Sequence, residues 1–115
     1  ERKDKGYSEA WMHHKGRNKH HFEYWTDYDP VKRVLVPIKM PINYVKEMFC
    51  DRVAATKVYQ KENYTESAPL DYFLGGRAKT SMHPDTAVLL EKLLFMLKEK
   101  GEKETFLYLK ALKDY

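Results

Sequence analysis

The sequence predicts an all-α domain: a compact bundle of four or five helices with one long proline-containing connection. Three observations predict it. Residues 42–59 repeat apolar side chains at helical spacing. Two prolines, Pro41 and Pro84, stand where helices open, and Gly101 stands where one should stop. No pair of alternating strands is obvious, although Val34-Leu35-Val36 reads as a short extended piece and a hairpin is not excluded.

Taken in chain order, Ser8 can cap a helix starting at Glu9 that carries Trp11, Met12, His13 and His14. Gly16 ends or weakens it. Arg17 to Trp25 resumes as helix or runs as an ordered loop. Asp27 to Met40, with Pro30 and Pro37, is the connector. Ile42 to about Tyr59 follows as a strong helix, then a polar loop from Lys61 to Ser67. Pro69 opens a short helix over LDYFL that stops at Gly75-Gly76. Pro84, with Asp85 favourable in the first turn, opens a helix to about Lys100. Glu102 to Lys113 forms the last.

With 115 residues the chain is one domain. Hydrophobic residues at 43% and aromatics at 14% argue against intrinsic disorder. The longest apolar runs, Ala87–Leu90 and Leu93–Leu97, fall far short of the ~20 residues a membrane span needs. The first residues are charged, with no secretory signal, and the single Cys50 excludes an internal disulfide. A reducing cytoplasm is the expected home, without a membrane partner. Cys50 itself reads as a small, buried or half-buried residue with no assigned reactivity. The net charge of +4 permits an anionic substrate but does not demand one.

Histidine is the informative residue. Of five, His13, His14, His20 and His21 lie within nine positions. Neutral imidazole is the commonest protein metal ligand, and adjacent protonated histidines repel. On a continuous helix, offsets of four and seven put His14, Asn18 and His21 on one face, with His13 and His20 on a neighbouring one. The alternative is a basic, solvated surface. Zinc-protease HExxH and Cys/His finger spacings are absent, and the Glu-x-x-His pairs of di-metal bundles are not matched.

Asp51 is the second clue. At 100° per residue, Tyr44, Met48, Asp51, Ala55 and Val58 share an arc about 80° wide, Val45, Phe49 and Val53 extend the apolar surface beyond it, and Lys46, Cys50 and Lys57 mark the opposite side. A carboxylate on a buried face must be paired or bound to a metal. Its partner is either a cation (Arg52, Arg33 or a histidine) or a metal ion facing the histidine cluster. Glu47 reads as solvated, and His83, just before Pro84, as a cap or turn residue.

Three runs, AWMHHKGRNKHHFEYW, KMPINYVKEMFCDRVAATKVY and HPDTAVLLEKLLFMLKEKGEKETFLYL, resemble an uncharacterised bacterial domain family over nearly the whole chain. Members are often labelled catalase automatically, and these residues lend that label no support. Members usually continue upstream of Glu1 with a Leu-Leu-His-Asp-Leu-Ser-Lys type motif, so the chain is expected to be N-terminally incomplete. That motif is similar to the His-Asp pair of HD-domain metal-dependent phosphohydrolases. The resemblance implies an HD-like fold and a divalent metal ion (iron, manganese, zinc or nickel). Asp51 would be the distant aspartate ligand, and His14 and His21 added histidines, with His13 and His20 as rivals. Lys15, Arg17, Asn18 and Lys19, beside them, would contact a phosphorylated small molecule. Two departures stand against it: the His-Asp pair is missing, and the histidines lie closer together than in two-metal HD proteins.

Two other classes compete. KGRNKHHFEYW mixes basic and aromatic residues, as a single-stranded nucleic-acid module would. A structural module needs no chemistry to explain its aromatics. Homo-oligomerisation through the last two helices also fits, because Val88 to Leu97 is apolar on more than one side.

Overall fold

The computed structural model describes residues 19–76 and 78–115. The expected helix at Glu9 and its Gly16 break lie outside them. The described chain is mostly helical and carries one small sheet. A 3-10 turn at Phe22–Tyr24 leads into strands β1 (Thr26–Asp29) and β2 (Val34–Pro37). Helices α1 (Ile42–Gln60), α2 (Ala68–Gly75), α3 (Ala78–Ser81) and α4 (Pro84–Ala111) follow.

The hairpin corrects the purely helical expectation. β1 pairs antiparallel with β2, Thr26 opposite Pro37 and Asp29 opposite Val34. β1 reads TDYD, a poor strand sequence, because aspartate is depleted in strands. Its turn supplies what propensity does not. Asp29 Oδ1 accepts from the Val31 and Lys32 amides at 2.9 and 3.2 Å, and the Asp29 carbonyl accepts from Arg33 N at 2.7 Å. Arg33, at φ 58°, closes the reversal in the left-handed region.

α1 has the expected extent, and the buried residues are among those expected on its apolar surface, but the face is centred elsewhere. Val45, Met48, Phe49 and Val53 point into the core, while Val58 is exposed. Ala55 and Asp51 are exposed as well. The face is rotated by roughly a third of a turn from the arc centred on Tyr44, Asp51 and Ala55. Rotation brings Arg52 and Thr56 to the core side, where both are half-buried. A polar second half on its inward face hides the true direction of this helix from periodicity. Cys50 is exposed rather than buried. Partial burial and the Glu47 carboxylate hold its thiol above the usual range, which leaves it a poor nucleophile.

α2 and α4 start as expected. Pro69 lies in the first turn of α2, and α2 ends at Gly75. His83 caps α4, its Nδ1 accepting from Asp85 N at 3.1 Å. α4 is broken at Gly101, whose φ 86° and ψ 174° are not helical. Residues 92 and 108 of a straight helix would stand about 24 Å apart. Here Lys92 Nζ donates to Tyr108 Oη at 2.9 Å, so the chain turns back at Gly101 and residues 102–111 return along 84–100.

The two arms of α4 and α1 enclose the core, with Val45, Phe49, Leu90, Leu93, Leu94 and Leu97 fully buried. The end of the chain closes one side. Tyr115 Oη donates to the Met40 carbonyl and lies 2.7 Å from Thr86 Oγ1, which itself accepts from Met40 N at 3.2 Å. The tyrosine proton is used on Met40, so the Thr86 hydroxyl donates to Tyr115.

Gly101 is required by its conformation. Its φ and ψ fall in a region that residues other than glycine almost never occupy. A Cβ there would also meet Glu66 Oε2 at 3.2 Å. Gly101→Ala is expected to cost about 1–3 kcal/mol, read as a lower urea midpoint at unchanged slope. An unchanged midpoint would mean that the reversal is not built on this residue.

Candidate metal centre

The segment ahead of the hairpin is held against α1 by its aromatics. Tyr24 and Trp25 are buried. The Trp25 ring lies 5.6 Å from that of Tyr44 on the first turn of α1, and Trp25 Nε1 donates to the Lys19 carbonyl at 2.7 Å. The Trp25 carbonyl in turn accepts from Ile38 N at 2.7 Å. With both ends of the segment tied, His20 and His21 fall beside α1 two turns beyond Tyr44, where Asp51 projects.

His21 Nε2 is 3.7 Å and His20 Nε2 4.0 Å from Asp51 Oδ2. The two imidazoles meet edge to face, with centroids 4.8 Å apart. One ligand atom from each of the three residues lies within 4.8 Å of the others. Ligands about 2.1 Å from one ion in a tetrahedral arrangement stand roughly 3.4 Å apart. The Asp51 distances are therefore a few tenths of an ångström too long, and the two rings must approach somewhat further. Such rotations are cheap here, because His21 and Asp51 are exposed and His20 is only half-buried.

The group opens onto a cleft of about 190 Å³ whose floor includes Met48 and whose walls include Glu23 and Arg52. Burial pulls the Arg52 guanidinium below its usual value, against the pull of Glu23, Asp51 and Tyr72. It stays charged, since an arginine has far to fall. Its Nε is buried without a hydrogen-bond partner among the described residues, and its Cζ lies 5.7 Å from the centre of the Phe73 ring.

Of the ligands expected from sequence, His20, His21 and Asp51 are brought together. The expectation that Asp51 lies within a buried face is overturned: its side chain is 53% exposed, because α1 turns its core face elsewhere. No burial penalty therefore compels a partner for it. His13, His14, Lys15, Arg17 and Asn18 lie outside the described residues. Lys19 does not line the cleft, and its Nζ lies 6.0 Å from the centre of the Tyr24 ring. Arg52 entered the sequence reading only as an ion-pair partner. Its place in the cleft depends on which way α1 faces, which the helical periodicity does not fix.

Fold and cleft together define a mostly helical domain with a His-His-Asp group on the flank of its first long helix. The chain belongs to a family of unknown function, DUF5662, whose model matches residues 1–96. The match spans the whole His-His-Asp group and Arg52. No curated protein and no solved structure gives a significant match.

Proposed function

We propose that the chain binds a divalent metal ion through His20, His21 and Asp51 and hydrolyses a phosphorylated small molecule with it, as HD-type phosphohydrolases do. One observation carries the reading: three ligand-type side chains from two separate elements converge within 4.8 Å at an open cleft. Nitrogen and carboxylate ligands of this kind suit zinc, iron, manganese and nickel alike. Three protein ligands leave coordination positions free, the mark of catalytic rather than structural sites. A divalent ion held there supplies an acidified water and polarises a phosphoryl oxygen.

The chain's own groups do the rest. Asp51 supplies the negative charge that draws the cation. Arg52, on the same wall, offers a planar guanidinium to phosphate oxygens. A cytoplasmic setting fits the lone cysteine, and no helix among the described residues is long and apolar enough to cross a membrane.

The test is elemental analysis of tag-free protein after loading with each of the four metals, followed by phosphate release from a panel of monoesters with and without chelator. The expected result is about one bound ion per chain and release that the chelator abolishes. No bound metal after loading would remove the reading. Bound metal without release would remove the hydrolase part of it.

A further inference from the structure

We infer that Arg52 and the tyrosine-lined groove beside it form the substrate subsite of the metal cleft, taking a phosphate monoester carried on a planar aromatic group. The inference rests on the metal reading above and deepens it.

Arg52 borders three cavities, two of which bear on the ligand. One is the cleft of His20, His21 and Asp51. The other is a groove of about 200 Å³ between α1 and α2, lined by Ala55, Tyr59 and Tyr72. Ala55 and Tyr59 follow Arg52 along α1 at roughly one and two turns. Ala55 is small and leaves the floor open, while the tyrosines stand on opposite walls, one on each helix.

Three features select the ligand. The first is charge: the Arg52 guanidinium, its Cζ 5.7 Å from the centre of the Phe73 ring, lines both cavities. A phosphate oxygen is the acceptor that such a fork fits best. The second is shape and surface. Tyr59 is 80% and Tyr72 71% exposed, so both rings are open at the groove to stack on a flat ligand. The third is continuity: Arg52 lines both the metal cleft and the groove, so one phosphate held on it can face the cleft while its ring enters the groove.

Binding rather than turnover is the readout. 1-Naphthyl phosphate and glycerol 3-phosphate are titrated into the full chain by calorimetry, with and without bound metal. Naphthyl phosphate is expected to bind about 10-fold tighter. Tyr59→Ala and Tyr72→Ala should each remove about 5-fold of that advantage, leaving glycerol 3-phosphate binding and metal uptake unchanged. Arg52→Gln should weaken both esters, and Arg52→Lys, which keeps the charge and loses the fork, should fall between. Equal affinity for the two esters, or tyrosine variants that bind like the wild type, would overturn the inference even with metal bound. Failure of the metal reading shows separately as no metal uptake. The ring preference is then decided on the metal-free chain, where Arg52 and both tyrosines are still in place.

Discussion

Asp51→Asn is expected to lower divalent-metal affinity by at least about 100-fold while leaving the stability of the metal-free protein within about 0.5 kcal/mol of wild type. Both halves follow from geometry. Asparagine keeps the shape of the side chain but loses the charge that His20 and His21 cannot supply. Loss of even a second-shell partner costs metal sites about 10- to 100-fold, and a direct ligand should exceed that. Stability is spared because Asp51 is more than half exposed and lies off the core face of α1. His21→Ala, also at an exposed position, should act in the same direction. If both side chains hold one ion, the double variant must lose less than the two single losses combined, since the second ligand has nothing left to hold. Metal at 100 times its dissociation constant should stabilise the wild type by about 2.7 kcal/mol, a gain that Asp51→Asn forfeits. Calorimetric titration and urea melts with and without metal read all of this. Wild-type affinity in Asp51→Asn would leave the three residues a coincidence of surface side chains.

The extent of α1, the proline starts of α2 and α4 and the break at Gly101 were legible because each depends on a local rule. Proline fixes φ, glycine alone tolerates the backbone at the reversal, and His83 caps from its own position. The hairpin was not legible, because β1 is built from residues that avoid strands and is made by the Asp29 turn. The buried side of α1 was legible only in part: Val45, Met48, Phe49 and Val53 were on the expected apolar surface, but the centre of the face was misplaced, because one helix offers several plausible arcs. Neighbours choose among them: the return arm of α4 against Phe49, and Trp25 against Tyr44. The candidate centre was half legible for the same reason. Histidine clustering pointed to residues 20 and 21, and the odd carboxylate pointed to Asp51, though by way of a burial that does not exist. Arg52 was read only as a possible partner of Asp51, because its place in the cleft depends on which way α1 faces.

Phe49→Ala is the converse experiment, two residues from Asp51 on the same helix. Phe49 is fully buried, and its ring meets that of Phe106 edge to face at 5.8 Å and 66°. Phe106 lies beyond the Gly101 reversal, so this contact joins α1 to the returning arm of α4. Truncation to alanine removes the transfer energy of the ring and leaves a cavity in a core whose other walls, Leu93, Leu94 and Leu97, are anchored along α4. The expected loss is about 3–5 kcal/mol, a large part of the roughly 5–15 kcal/mol that holds a domain together, and a midpoint lower by on the order of 10–20 °C. Phe106→Ala should cost less, because Phe106 is only half-buried. The cycle through the double variant should return a coupling of about 0.5–1.5 kcal/mol for the ring pair. Metal affinity of the folded fraction should be unchanged, since His20 and His21 are positioned by Trp25 and Tyr44 rather than by Phe49. Asp51 and Phe49 thus separate the two things α1 does. One residue should move binding without stability, the other stability without binding. A loss below about 1 kcal/mol for Phe49→Ala, or a fall in metal affinity with it, would show that the helix does not keep its core face and its candidate site independent.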